Sequence, residues 1–339
     1  MASLRTSARG TLQKACRYLR IEIPEQVKEM RTFKAVRIET FGGIDVLQLQ
    51  DVALPEPRRG EVLLKVHAAS VNPVDYKIRS GKYPAVHADK LPYILGRDVS
   101  GEVHAVGPDS AFVVGDFVYG MPGIDRGGYA EYVILKRNEA AAKPVSLEHA
   151  AAAAVPLAGL TAWQGLFRHG SLRSGQRILI HGGSGGVGHF AIQFAKAKGA
   201  DVITTVSTQQ IDFARELGAD QVIDYHQQRF ENEVRDLDMV FDLIGGETQD
   251  RSFAVLKKGG VLVSTLNPPS AEKAAAHGVR AMRFIVEENA SELAEIATLI
   301  DAGKVKPSIA KTFPLREAAA AQQLLEQGHV QGKVVLIVD

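Results

Sequence analysis

Apolar positions along this chain fall into two rhythms. From 33 to 145, short apolar stretches at 34–38, 62–68, 99–106, 116–119 and 132–135 are separated by Gly, Pro and Asp, which predicts a domain of strands and tight turns. From 157 to 286 the rhythm becomes strand, helix, strand. Strands are predicted at 177–181, 201–205, 221–224, 239–243, 261–264 and 283–286, with helical spacing between them. Strands joined by crossover helices imply an α/β fold, a doubly wound parallel sheet with helices on both faces. The tail reads as a helix over 290–302, a turn at Pro307, a helix over 314–327 and a strand over 334–338 that returns to the first domain. The predicted organisation is an extension over 1–29, a first domain over 30–155 completed by 300–339, and a second domain over 156–299.

The second domain opens on Ile178-Leu-Ile-His-Gly-Gly-Ser-Gly-Gly-Val-Gly188, an apolar strand feeding a turn of the form G-x-G-x-x-G. Such a turn seats a dinucleotide pyrophosphate. Gly183 is expected to allow the tight turn, Gly185 to let backbone amides approach the phosphates, and Gly188 to let the next helix pack closely; Ser184, Gly186 and Val187 complete the cradle. A glycine pattern alone is weak evidence. Here strand, turn, helix and second strand follow in order within about 30 residues, as a nucleotide-binding unit requires. An acid about 20 positions further on would bind the ribose hydroxyl of NAD. The chain instead reads Thr204-Thr-Val-Ser-Thr-Gln-Gln210, whose hydroxyls, Ser207 among them, accept a 2′-phosphate without repulsion. NADPH is therefore the expected cofactor, with NADH as the alternative, because no Arg or Lys lies between Gly199 and Arg215 to pair with the phosphate.

Composition narrows the class further. A chain of 339 residues has room for two domains, and its net charge of +1, with basic residues dispersed, gives no electrostatic case for nucleic acid. No segment offers the roughly 20 apolar residues that a bilayer span needs. Cys16 is the only cysteine, which excludes an internal disulfide and any multi-cysteine zinc site. Arg5, Arg9, Lys14, Arg17 and Arg20 precede the first acid, Glu22. That composition suits either an organellar leader or a solvated extension; the second reading, with a cytoplasmic protein, is the expectation.

Two further segments carry a resemblance. Ala69-Ser-Val-Asn-Pro-Val-Asp-Tyr-Lys-Ile-Arg-Ser-Gly-Lys-Tyr-Pro84 and Leu95-Gly-Arg-Asp-Val-Ser-Gly-Glu102, with Gly218-Ala-Asp-Gln-Val-Ile-Asp-Tyr225 and Gly328-His-Val-Gln-Gly-Lys-Val-Val-Leu336, resemble the medium-chain dehydrogenase/reductase superfamily. Within it the chain is most similar to the zinc-independent quinone oxidoreductases, the zeta-crystallin-like branch. The resemblance implies a GroES-like β-barrel catalytic domain, a Rossmann domain and an active site between them. Zinc-dependent relatives place a cysteine at Asn72, a hydroxyl at Val74 and a histidine-acid pair at Arg97-Asp98. Only the acid remains, and Asn and Arg are poor zinc ligands, so no metal is expected. Hydride delivery to a quinone or an enone is feasible without one.

The same resemblance assigns Asn72 to the nicotinamide and the substrate oxygen, and Lys77 or Tyr83 to proton donation, in competition with a ribose hydroxyl or water. Thr161 and Tyr225 would touch the cofactor; Leu243, Leu266, Asn267, Phe284 and Val286 would line its nicotinamide half; Lys333 would reach it late in the chain. An Asp75–Arg97 ion pair is expected to fix the first-domain loop, with Asp98 organising backbone. The implied activity is NADPH-dependent reduction of quinones or α,β-unsaturated carbonyls, by a homodimer paired through the strand at 283–286. The alternatives are an enoyl-thioester reductase and an NADPH-binding sensor or structural protein without turnover.

Overall fold

A computed structural model of the protein describes residues 31–328 and 330–338; the extension over 1–29 lies outside the described residues. The first domain is built from β1 (Thr32–Ile38), β2 (Gln48–Ala53), β3 (Glu61–Val71), helix α1 (Pro73–Arg79), β4 (Tyr93–Ile94), β5 (Val99–Val106), β6 (Phe117–Gly120), β7 (Tyr132–Lys136) and β8 (Ala140–Ala142). Helices α2 (His149–Ala153) and α3 (Pro156–Trp163) lead into the second domain. There β9 (Arg177–His181), α4 (Gly188–Ala197), β10 (Asp201–Val206), α5 (Ile211–Glu216), β11 (Gln221–Asp224), α6 (Phe230–Glu233), β12 (Leu237–Asp242), α7 (Gly246–Ser252), β13 (Leu256–Ser264), α8 (Ala271–His277) and β14 (Arg280–Arg283) follow one another. The chain closes with α9 (Ala290–Asp301), β15 (Ile309–Pro314), α10 (Ala318–Glu326) and β16 (Lys333–Ile337).

The second domain is the expected doubly wound sheet, six strands in the order β11-β10-β9-β12-β13-β14 with every pairing parallel. The order reverses direction between β9 and β12, and a ligand crevice forms at the strand ends beside that point. Its central strands are buried on both faces, which is why Ile178-Leu-Ile180 reads as a continuous apolar run rather than an alternation. The first domain is the expected β-rich unit. Its seven-stranded sheet runs β15-β16-β3-β5-β6-β8 with β7 paired to β3, and a small sheet β2-β1-β4 lies beside it. Leu64, Val99, Leu135 and Leu336 meet in its core, so the last strand is packed as an integral member.

Several elements differ from the sequence expectation. β2, β4, β8 and β15 were not anticipated. β2 carries no buried position, so it lacks the apolar alternation by which a strand is recognised. The span 314–327 divides, because Pro314 ends β15 and the α-helix begins only at Ala318. The outer strand is β14 over Arg280–Arg283, not 283–286. Its ladder with β13 ends at Arg283, and the apolar residues beyond serve packing: Phe284 is buried in the second-domain core, with its ring 4.5 Å from that of His169.

Candidate active site

The glycine turn is shaped by close approach. Gly182 holds a φ of +74°, the left-handed region that glycine adopts at no steric cost, so the tight-turn role expected of Gly183 belongs to its neighbour. A Cβ on Gly183 would overlap the Thr204 side chain of β10. On Gly188 it would overlap the Gly182 carbonyl and stand 2.7 Å from Gly183 Cα. At Gly185, by contrast, it would meet only the Gly182 oxygen at 3.5 Å. Strand, turn and α4 are thus pressed together at both ends while the crown stays open at the N-terminus of a ten-residue helix. An anion is stabilised there by unpaired N–H groups and the helix dipole.

That crown forms one wall of a cleft of about 740 Å³. Asn72, Ser184, Gly185, Gly186, Val187, Gly188, Tyr225, Leu243, Leu266 and Lys333, all singled out from sequence, line it. Val71, Pro73 and Leu157 face them from the first-domain side. The remaining candidates do not line the cleft. Thr161 is buried in α3 and its hydroxyl donates to the Leu157 carbonyl at 2.6 Å. Lys77 is in the last turn of α1, Tyr83 packs against the first-domain core, and Ser207 is buried at the start of the loop after β10. Asn267 accepts a hydrogen bond from Gln249 through its carbonyl at 3.1 Å, and Val286 packs with Phe284 on the second-domain core.

Opposite the glycines, Asp98 gathers a polar hub. The carboxylate is fully buried and accepts from Ser70 Oγ at 2.5 Å, Asn72 Nδ2 at 2.7 Å and the Leu157 backbone N–H at 2.6 Å. Lys333 Nζ lies 3.2 Å from it and also donates to Asn72 Oδ1. Three segments distant in sequence, the end of β3, the first turn of α3 and the start of β16, therefore converge on one carboxylate that precedes β5, beside the cleft. Asn72 is the N-cap of α1. Pro73 occupies the first helical position, and Asp75 accepts the Asn72 backbone N–H at 2.8 Å, the return half of a capping box.

Asp75 does not pair with Arg97. Its carboxylate also receives the Gly96 N–H at 3.1 Å and the Tyr129 hydroxyl at 2.9 Å, and burial raises its pKa to about 6 against the opposing pull of the Asn72 N–H and Tyr129. Arg97 reaches across to the second domain, where it bonds Glu288 at 2.6 Å, and also holds the Pro122 carbonyl at 2.7 Å. The local spacing suggested the ion pair; the helix cap and the domain junction each claim one partner. Asp98, expected to organise backbone, does so at Leu157 and binds three side chains besides. Sequence reasoning also passed over His181, Arg229 and Arg251, which line the cleft. The signal was available: residues following parallel strands face the same edge of the sheet.

Burial holds His181 and His189 at a pKa of about 4, both wholly enclosed near the turn. His189 uses Nδ1 on the Gly185 carbonyl at 3.0 Å, and Nε2 accepts the Ser308 N–H at 3.3 Å, which leaves no lone pair for a proton. Both folded values lie below the unfolded one, so the unfolded chain binds more protons as pH falls from 6.5 toward 4 and stability is lost in that window. Asp75, shifted upward, works in the opposite direction between 4 and 6. The expected net result is destabilisation between pH 7 and 5, with roughly 2 kcal/mol from each imidazole. Denaturant titrations at the two pH values test it, and unchanged midpoints would show that these rings titrate normally.

Comparisons with known proteins place this geometry. Residues 58–145 match the alcohol dehydrogenase GroES-like domain, and residues 217–336 match a family model described as zinc-binding dehydrogenase. The mitochondrial NAD(P)H oxidoreductase RTN4IP1 of Danio rerio is 36% identical over 348 residues, covering 89% of this chain and 90% of its own. A chloroplastic NADPH-dependent alkenal/one oxidoreductase of Arabidopsis thaliana is 38% identical, over 91% of this chain and 80% of its own. The structure of the quinone oxidoreductase from Coxiella burnetii superposes with a TM-score of 0.85 at 40% identity, over 91% of this chain and all of that one. Although one model's description mentions zinc, no three His, Cys, Asp or Glu side chains gather into a metal site among the described residues. With its GroES-like and Rossmann units facing each other across the glycine turn, the chain belongs to the medium-chain dehydrogenase/reductase superfamily, in the quinone oxidoreductase-like family of NAD(P)H oxidoreductases.

Proposed function

We propose that this protein uses NADPH to reduce quinones or the carbon–carbon double bond of α,β-unsaturated carbonyls, without zinc. The observation that carries the reading is that one cleft joins the open glycine crown to the buried Asn72–Lys333 pair. The crown has room for a pyrophosphate, since a Cβ at Gly185 would meet only the Gly182 oxygen, at 3.5 Å. A bound nicotinamide would supply the hydride. Hydride addition to an enone or quinone moves negative charge onto a carbonyl oxygen, and preorganised donors in a water-poor wall stabilise it most. Lys333 and Asn72 stand in that wall with their N–H groups shared among Asp98, Ser70 and Val71, and one of them would turn to the oxygen as charge develops. At Asn72, Val74 and Arg97 the side chains lack the basicity of zinc ligands, which supports metal-free chemistry. Lys77 and Tyr83 are the proposed proton donors; as neither lines the cleft, water or the ribose hydroxyl competes with them. The names of the Arabidopsis and Coxiella proteins support the acceptor classes.

The test is consumption of NADPH and NADH by the full chain with a quinone, a cyclic enone, a linear enal and an enoyl thioester. NADPH oxidation with an enone or quinone is expected, reduced by about 100-fold in Asn72→Ala. Turnover of the thioester alone would move the assignment to an enoyl-thioester reductase. NADPH binding without consumption would make the protein a sensor. The proposal extends to a homodimer through the outer edge of β14 and to a cytoplasmic location, tested by sedimentation and by a full-length fluorescent fusion. No helix among the described residues is long and apolar enough to cross a membrane.

A further inference from the structure

We propose that Arg229 and Arg251, bridged by Glu231, are the cations by which this chain distinguishes NADPH from NADH. The inference rests on the dinucleotide reading above and concerns only the 2′-phosphate. That phosphate is a dianion near neutral pH, and its natural partner is a guanidinium or ammonium. None is present in the segment directly after β10. Gln210, which lines the cleft there, is uncharged, and its amide oxygen takes the Ser184 hydroxyl. The question is where the compensating charge comes from.

It comes from the next two strands. The parallel sheet brings the ends of β10, β11 and β12 to one edge, so the loop after β11 and the helix after β12 share a face although they are distant in sequence. Arg229 lies on that loop and Arg251 on α7, and both line the cleft that contains Gln210 and Tyr225. Glu231 holds them together, 3.2 Å from Arg229 Nε and 2.9 Å from Arg251. The Arg251 guanidinium also lies 5.1 Å from the Phe230 ring centroid, which limits its freedom. Among the described residues Arg229 bonds Glu231 through Nε only, so its two terminal nitrogens remain for a phosphate in bidentate fashion. Asp224, the acid at the end of β11, is occupied internally: it accepts from Thr208 at 2.7 Å, Gln227 at 2.9 Å and the His226 N–H at 3.0 Å.

The experiment is a binding titration of the full chain with NADPH and with NADH, followed by nicotinamide fluorescence and without any acceptor. A parallel titration with 2′,5′-ADP against 5′-AMP reads the phosphate alone. Wild-type protein is expected to favour the 2′-phosphorylated member of each pair by about tenfold or more. Arg229→Ala should bring both ratios to within about threefold by weakening only the phosphorylated ligand, and adding Gln210→Lys to that variant should restore the preference. Arg251→Met tests the second cation in the same way. If both arginine variants keep the wild-type ratio, this inference is wrong while the NADPH assignment stands. If the wild type already binds NADH as tightly as NADPH, the cofactor assignment fails and this inference fails with it.

Discussion

Lys333→Met is expected to lower the stability of the folded protein by about 3–5 kcal/mol and to abolish turnover. Lys333 is 3% exposed and, among the described residues, is the only cation within bonding distance of Asp98, which is 0% exposed. Removing it strands a carboxylate where water cannot solvate it. Asn72 loses the donor to its Oδ1 at the same time, so the amide facing the cleft is no longer held. A double substitution separates the two effects. Lys333→Met with Asp98→Asn removes both charges and should recover most of the stability without recovering hydride transfer, because Asn72 is still unsupported. Chemical denaturation of the four proteins gives the coupling energy. Additive losses would show that the two groups do not act as a pair.

The second large effect separates two glycines of one motif. Gly188→Ala should destabilise the second domain, since the added methyl group would occupy the position of the Gly182 carbonyl and crowd Gly183. Backbone rather than a flexible side chain is in the way, so no rotamer change relieves the clash. Gly185→Ala should leave the thermal midpoint within a few degrees of wild type, because its methyl group meets only one atom at ordinary contact distance. It should nonetheless raise the NADPH dissociation constant by about 100-fold, as the methyl group projects into the open crown where a phosphate oxygen must approach backbone N–H groups. Thermal melts and fluorescence titrations of the two variants distinguish these outcomes. Equal effects on both readouts would mean that the crown is packed rather than open.

Legibility from sequence followed the range of the forces involved. The parallel strands, buried on both faces, were found because Ile178-Leu-Ile180 and their neighbours announce burial by composition alone. β2 was missed because a half-exposed edge strand in mixed polar text carries no period. The glycine turn and Asn72 could be read because their chemistry is local. The Asp98 hub was read only in part: four donors from three segments meet at one carboxylate, and nothing in the spacing of Ser70, Leu157 and Lys333 signals that meeting. Arg229 and Arg251 were missed because they follow β11 and β12, one on a loop and one on α7, and only the sheet topology brings them to the cleft that Gln210 lines. Phe284 and Val286 misled in the opposite way, as apolar residues that pack against a core just beyond the end of the ladder, with Ile285 between them exposed.

β3 and β16 are neighbours in one sheet, yet Asn72 and Lys333 are 261 residues apart. The whole nucleotide-type domain is an insertion between them. Its own sheet pairs residues 18 to 61 positions apart through helical crossovers, from Ile203 with Gln221 to Met239 with Ile178, whereas the first domain must wait for its last strand to arrive from much further along the chain. The waiting costs little in equilibrium stability, since closure entropy grows only with the logarithm of loop length. It costs time. A newly unfolded molecule will regain its nucleotide-type core before it regains the wall opposite the glycines, and competence for chemistry will be the last property to return.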